Sequence, residues 1–277
     1  MEVLGYFAIV CIGLVLGSIG AGGSMLAIPI FVYLFAMDME TASAYSLFLV
    51  GVTSFTGVVL KQSKQAISIR TAFIFGLPSI AGAFLSRKWI IVNIPDVLGK
   101  SSGFVLTKDR ALLVLFCMLM IASSTILLRK EKLEYEEIRK PKYFFLAGLG
   151  LFVGIIAGLV GAGGGFVIIP ALIIFARQTF STVTATSLLI IASNSLLGFC
   201  GDLLNRPINW HFLFAVTALS ISGLVLGYWW NKDRRWKYSM QRAFAWFTMI
   251  MGLTILARVL FYCFSNFITF PLVQMTN

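Results

Sequence analysis

The stretch GAGGS occupies residues 20–24 of this 277-residue chain, and the stretch GAGGG occupies residues 161–165. Each stretch lies inside an uninterrupted apolar run of 34 residues, which spans 3–36 in the first case and 143–176 in the second. Glycine permits positive φ and lets other groups approach the backbone closely. A glycine cluster in the middle of a long apolar run therefore predicts that each run is broken into two shorter helices.

The composition of the chain places these helices in a membrane. Hydrophobic residues make up 59% of the sequence and charged residues 12%, whereas soluble domains average about 45–50% and about 25%. The apolar runs are longer than the roughly ten alternating residues of a transmembrane β-strand. The sequence therefore predicts an all-α polytopic membrane protein.

Charge and cysteine usage exclude several classes of function. The net charge is +11, but Lys and Arg form short clusters between apolar runs, where they orient membrane helices. We therefore expect no nucleic-acid partner. The four cysteines occur without a CxxC motif and the chain has a single histidine, so no zinc or iron ligand set can be assembled. We expect no metal and no cofactor.

The two halves of the chain repeat. An offset of 141 residues aligns them without a gap from about Gly13 to Gly82, and the glycine stretches align with each other in this register. The charged stretch RKEKLEYEEIRKPK at 129–142 separates the halves. We predict a first transmembrane repeat over 1–128, a charged cytoplasmic linker over 129–142 and a second transmembrane repeat over 143–277.

Basic residues favour one of two topologies. Each half holds four apolar runs, and the runs after the glycine-broken ones are 41–60, 69–87 and 110–128, then 182–200, 209–230 and 240–262. If every run crosses, the two sides carry 10 and 11 basic residues; if the glycine-broken runs are re-entrant hairpins, they carry 15 and 6. Cytoplasmic loops carry the excess of Lys and Arg. This rule favours re-entrant hairpins and inverted repeats, with a bent crossing helix as the alternative.

The glycine tips are candidate anion sites. A 34-residue helix would measure about 51 Å, against a hydrocarbon core of about 30 Å, and irregular backbone at this depth must be packed in protein or line a cavity. Backbone N–H groups and a helix N-terminus favour negative charge. We predict that substrate is bound by Gly20, Ala21, Gly22, Gly23, Ser24, Gly161, Ala162, Gly163, Gly164 and Gly165. Close packing of small residues between helices is the alternative.

The runs that follow the tips carry a second set of candidates. Ser46 and Thr53 lie seven residues apart in the first half, and Ser187 and Asn194 are their equivalents in the second. This spacing places each pair on one face of a helix. We predict that all four contact the substrate. Ordinary hydrogen bonding between helices is the competing interpretation.

Acidic residues are expected only at chain ends or in loops. Of the eleven acids, Asp202 is nearest to an apolar run, and Arg258 is the only basic residue placed well inside one. A carboxylate proton relay within the membrane is therefore not supported. The sequence also lacks the HExxH and GxSxG motifs, so it predicts no enzyme.

These motifs resemble those of a known family. GAGGS with Pro29, GAGGG with Pro170, and the duplicated Thr-x-x-x-x-Ser-Leu segments at 41–47 and 182–188 are similar to the TauE/SafE sulfite exporters, also called toxic-anion or 4-toluenesulfonate uptake permeases. The resemblance covers the whole chain. It implies a secondary transporter in the inner (plasma) membrane, a multi-pass protein that exports small sulfur-containing oxyanions such as sulfite or organosulfonates.

The resemblance leaves several alternatives open. The partners that it implies are the anion and the lipid bilayer. It leaves open whether the protein forms a homo-oligomer. The substrate would be held near the membrane midplane between the two glycine tips. An anion channel could use the same site. A membrane-embedded enzyme or an assembly protein is the alternative from another class.

Overall fold

A computed structural model describes the chain over residues 2–19, 23–61, 67–95, 97–101, 104–129, 143–161, 163–172, 175, 180–203, 208–230, 242–243 and 245–259. Nearly all of these residues are helical. The predicted linker at 129–142 falls outside the described residues, except that Arg129 ends a helix.

The elements of the first half are α1 (Glu2–Ile19), α2 (Ser24–Tyr33), α3 (Met39–Lys61), α4 (Ile69–Leu85), α5 (Ile91–Asn93), β1 (Val97–Ser101), β2 (Phe104–Thr107) and α6 (Lys108–Arg129). A π-helical turn, Ser86–Ile90, joins α4 to α5. The second half contains α7 (Tyr143–Val160), α8 (Gly165–Ala171), α9 (Phe180–Leu203), α10 (Trp210–Trp230) and α11 (Ala245–Val259).

Six helices of the described chain are long and apolar enough to cross a bilayer, namely Met39–Leu60, Ile69–Asn93, Lys108–Ile126, Tyr143–Val160, Thr182–Leu203 and Trp210–Trp229. The apolar segments of α1, α2 and α11 are 10–17 residues long, which is shorter than any of these six spans. These spans confirm the predicted helical, polytopic membrane class. The segment between α5 and α6 forms a hairpin, in which Val97 faces Thr107 across antiparallel strands.

The helices of the two halves begin at corresponding positions. Pairs of first residues 141 apart are Glu2 and Tyr143, Ser24 and Gly165, Met39 and Phe180, and Ile69 and Trp210. The two glycine-broken runs therefore each yield a helix of 18 residues followed by a shorter one. At about 1.5 Å per residue, the ten residues of α2 span about 15 Å, half of a hydrocarbon core.

Small residues pack each first helix against a helix of the other half. Gly13 and Gly17 of α1 lie so close to α10 that a Cβ would overlap the carbonyl oxygens of Ser220 and Leu224. In the same way, Gly154 of α7 lies against the backbone of α4. Without a side chain, the two backbones approach closely and van der Waals contact is maximised. This packing fixes the position from which each glycine tip projects.

The centre of the bundle is the crossing of α3 and α9. In their most apolar stretches of 18 residues, 67% and 72% of the residues are buried, against 33–39% in the other four membrane spans. Gly51 of α3 packs on Leu196, and Gly198 of α9 packs on Leu47. Because the contact positions run in opposite directions along the two helices, α3 and α9 are antiparallel. Their inward faces are therefore shielded from lipid.

Candidate functional site

The backbone of the second glycine stretch adopts the left-handed conformation at three residues. Gly161, Gly163 and Gly164 have φ of 76°, 67° and 71°. Side chains other than glycine seldom adopt this conformation without strain. The structure thus contains the positive-φ turn that the glycine run predicts, immediately before α8.

The turn reaches the middle of the bundle. A Cβ on Gly163 would overlap Ser195 Oγ and would lie 3.2 Å from Val50 Cγ1. Val50 is the central residue of the 23-residue helix α3, and Ser195 belongs to α9. The second tip therefore ends between the two central helices, about halfway along their length.

Buried polar atoms without partners line these two helices. Among the described residues, the unpartnered atoms of α3 and α9 are Ser46 Oγ, Ser54 Oγ, Asn194 Oδ1 and Ser195 Oγ. A buried polar group left without a hydrogen bond costs about 1–3 kcal/mol. Such atoms are therefore candidates for contact with a bound solute or water. Ser54 and Ser195, which occupy equivalent positions in the two halves, were outside the predicted site set.

Three of the predicted polar residues, Asn194 among them, donate hydrogen bonds within the protein. Asn194 Nδ2 donates to Ser79 Oγ at 2.6 Å, and Ser187 Oγ donates to the Thr184 carbonyl oxygen at 3.0 Å. Thr53 Oγ1 donates to the Leu49 carbonyl oxygen at 2.6 Å. The two bonds to carbonyl oxygens lie within α9 and α3, whereas the bond from Asn194 to Ser79 joins α9 to α4. The Asn194 bond is therefore of the kind that the competing interpretation of the polar faces proposes.

The first tip is described only in its last part. Gly20, Ala21 and Gly22, together with Ala162 of the second tip, lie outside the described residues. Gly23 has a right-handed helical conformation, and Ser24 begins α2 fully buried. Gly165 is the corresponding first residue of α8.

In both glycine-broken segments, a residue near the start contacts a residue near the end. Gly5 at the start of α1 lies against the ring of Phe35, just beyond the end of α2. Correspondingly, Phe145 near the start of α7 packs on Phe175, with ring centroids 5.3 Å apart. Gly23 lies against Leu16, which is three residues before the end of α1. In each half, the ends of the broken segment are therefore close together.

A buried arginine lies beside the second tip. Arg87, in the π-helical turn after α4, is 4% exposed. Its Nη1 donates to Asp202 Oδ2 of α9 at 2.7 Å, and its Nε donates to the Gly158 carbonyl oxygen of α7 at 2.7 Å. Its Nη2 donates to Ser43 Oγ of α3. One guanidinium thus links four helices at one end of the bundle.

One expectation from the sequence is wrong at this position. Asp202 lies in the last turn of α9 and is buried, not in a loop. Arg258, which the sequence places well inside an apolar run, is exposed on α11, whereas Arg87, at the end of its predicted run, is enclosed. The cause is helix length. Helix α9 continues to Leu203, beyond the end of its predicted run at residue 200. The helical span that contains α4 likewise continues to Asn93, beyond the end of its predicted run at Arg87.

A cavity of about 310 Å³ opens beside the arginine. Its walls are Met39, Glu40, Ser43, Arg87, Ile91, Val92, Lys108, Leu112, Leu159, Val160 and Asp202. The cavity thus combines two cations, two carboxylates and an apolar wall. Because Val160 immediately precedes Gly161, the cavity lies next to the second glycine tip.

Comparisons with known proteins agree with one another. Residues 6–255 match the family model described as "Sulfite exporter TauE/SafE". A Xylella fastidiosa protein named "Probable membrane transporter protein" is 28% identical over 221 residues, covering 78% of this chain and 79% of its own length. "Probable membrane transporter protein YdhB" of Bacillus subtilis is 26% identical over 216 residues, covering 78% of this chain and 84% of its own.

Proposed function

The chain belongs to the TauE/SafE sulfite exporter family, and from this premise we propose that it exports small sulfur-containing oxyanions such as sulfite or organosulfonates. Its relatives are named as membrane transporters. It is therefore a multi-pass membrane transporter and not an enzyme. The plasma (inner) membrane is the proposed location.

The proposed architecture is a pair of inverted repeats, each opening with a re-entrant hairpin. The antiparallel crossing of α3 and α9 supports inversion, since these helices occupy equivalent places in the two halves. The contact of Gly5 with Phe35 supports the hairpins, because both ends of the broken segment reach one side. The helix Tyr143–Val160 is long enough to cross, but the contact of Phe145 with Phe175 favours a hairpin there too.

The proposed domain layout follows from this architecture. The repeats occupy 1–128 and 143–277, and the linker 129–142 is cytoplasmic, as the basic residues favour. In this arrangement, the two tips enter the bundle from opposite sides.

The proposed substrate site lies between the glycine tips, near the midplane. The observation that carries it is the position of Ser195: its buried hydroxyl has no partner and faces Gly163, where a Cβ would overlap it. A small oxyanion at this position would accept hydrogen bonds from the hydroxyl and from the backbone of the tip. We keep the predicted glycine-tip residues, Ser46, Thr53 and Ser187 as proposed substrate contacts, and we add Ser54 and Ser195. Asn194 stays in the proposed site as the residue that positions α9 through its bond to Ser79.

Energetics favour such a site over simple passage through lipid. Transfer of a bare anion into hydrocarbon costs tens of kcal/mol by Born estimates. Hydrogen bonds to a charged group contribute about 1.5–3 kcal/mol each, so several donors and cavity water are needed. A secondary carrier supplies them through alternating exposure of the site, and an anion channel using the same tips is the second candidate.

A flux assay on purified protein tests the proposal. The protein is reconstituted into liposomes loaded in turn with sulfite, sulfate, thiosulfate or a small alkyl sulfonate, and release is followed against protein-free liposomes. We expect saturable release of at least one of these anions. Release at the rate of protein-free liposomes for all of them would contradict the proposed substrate class.

A further inference from the structure

The cavity beside Arg87 has a charge arrangement suited to exchange. Arg87 Nη1 pairs with Asp202 Oδ2 at 2.7 Å, and Lys108 Nζ pairs with Glu40 Oε1 at 2.8 Å. Each cation in the wall is therefore neutralised by one carboxylate. An oxyanion that enters the cavity finds two cations, provided that it competes with their acidic partners.

The guanidinium has capacity for such an exchange. Arginine carries five N–H donors in a planar fork, and the hydrogen bonds given for Arg87 use Nε, Nη1 and Nη2 once each. Asp202 contacts the fork through a single oxygen. A tetrahedral or pyramidal oxyanion can instead engage two of these donors at once, the geometry for which arginine is favoured.

The cavity is large enough for a hydrated anion and lies next to the second glycine tip. Its volume of about 310 Å³ corresponds to roughly ten water molecules at about 30 Å³ each, enough for a hydrated small anion. It is continuous with the second tip, because Arg87 Nη2 would contact a Cβ placed on Gly161. In the proposed topology, α6 starts at the cavity with Lys108 and ends at the cytoplasmic linker. The cavity therefore faces the non-cytoplasmic side.

We infer that this cavity is a second binding site for a small oxyanion, in which the anion replaces Asp202 as the partner of Arg87. The inference rests on the proposed function, since it gives the exported anion a site on its way out. Breaking a buried ion pair without replacement is strongly unfavourable. The Arg87–Asp202 pair therefore stays closed until an anion joins the guanidinium, and the released Asp202 carboxylate then takes its hydrogen bonds from water in the cavity that it lines.

A local labelling measurement tests the site. Ile91 lines the cavity, and Ile91→Cys on a background without other cysteines is treated with a small neutral methanethiosulfonate reagent. We expect sulfate or methanesulfonate to slow modification in a saturable way. A protein that retains only Cys200, which is exposed and outside the cavity lining, should react at a rate that sulfate does not change.

Charge variants then test the exchange. In the Ile91→Cys background, Asp202→Asn should lower the sulfate concentration needed for half protection severalfold, because a neutral amide competes less well for Arg87. Arg87→Gln should raise that concentration roughly tenfold or more. Arg70→Gln is the matched control, since Arg70 stacks on Tyr143 at the opposite end of α4. An ion pair that only fastens helices would lower the melting temperature in both variants without shifting protection.

The outcomes separate the two proposals. Unchanged labelling of Ile91→Cys at saturating sulfate, in a protein that still transports anions, would overturn the second site and leave the proposed function standing. Protection without any anion transport would support the second site and contradict the proposed function. The labelling of Ile91→Cys itself keeps both native charges, so the test holds even if the charge variants fail to fold.

Discussion

Asn194 of α9 donates a hydrogen bond from Nδ2 to Oγ of Ser79 on α4, at 2.6 Å. The offset of 141 relates this pair to Thr53 and Ser220, whose hydroxyl oxygens lie 3.2 Å apart. A hydrogen bond thus recurs at corresponding places in the two halves. It joins α9 to α4 in one case and α3 to α10 in the other.

The first prediction concerns Asn194→Ala. The bond to Ser79 uses one of the two N–H donors of the Asn194 amide and joins two helices, so the substitution should reduce stability by about 0.6 kcal/mol, a typical value between membrane helices. Sulfate affinity should be almost unchanged. Detergent melting temperature and isothermal titration on one purified variant give both quantities. A fivefold or greater loss of affinity at normal melting temperature would instead make the Asn194 side chain a direct contact of the anion.

The second prediction concerns Ser195→Ala. Its buried hydroxyl has no partner, so its removal should leave the melting temperature unchanged or raised, while affinity for the transported anion falls about tenfold or more. Ser193→Ala on the same helix is the control, because Ser193 Oγ already donates to the Leu189 carbonyl oxygen at 3.0 Å. Equal affinities in the two variants would remove Ser195 from the site.

The third prediction concerns Gly163→Val. A branched side chain at φ of 67° is strained and would occupy the space in front of Ser195. Transport should be lost while the protein still inserts in the membrane. Gly198→Ala is the control, since a Cβ there makes an ordinary contact of 3.5 Å with Leu47. Transport with unchanged apparent affinity in Gly163→Val would show that the anion does not bind at this tip.

The fourth prediction concerns topology. Single cysteines at Glu134 and Asp233 should lie on the cytoplasmic side in the re-entrant arrangement, and a cysteine at Asn93 should lie on the opposite side. Labelling of intact cells with an impermeant maleimide distinguishes the two sides. If Glu134→Cys and Asp233→Cys differ in accessibility, the re-entrant arrangement is wrong.

The membrane class and the glycine turn could be predicted because both depend on local sequence. Long apolar runs predict helices in lipid wherever they occur. The run at 161–165 allows positive φ through its lack of side chains, and Gly161, Gly163 and Gly164 adopt it. The family resemblance likewise rests on short motifs that can be recognised without tertiary structure.

The pairing of Arg87 with Asp202 could not be predicted in the same way. The two residues are 115 positions apart, and each lies at the end of an apolar run, where a charge ordinarily reaches water by snorkelling. Only the packing of α4 and the π-helical turn against both α7 and α9 encloses them. Ser54 and Ser195 were missed for a related reason, since whether a helix hydroxyl has a partner depends on the neighbouring helix.

We propose that the protein carries small sulfur-containing oxyanions by alternating exposure of one site. Counterflow in proteoliposomes tests it most directly: vesicles are loaded with unlabelled anion, diluted, and offered a trace of the same anion labelled with ³⁵S. We predict a transient accumulation of label above its equilibrium level, which disappears in Gly163→Val and persists in Gly198→Ala. Uptake that never exceeds equilibrium and does not saturate, or no uptake above that of protein-free vesicles, would contradict the claim.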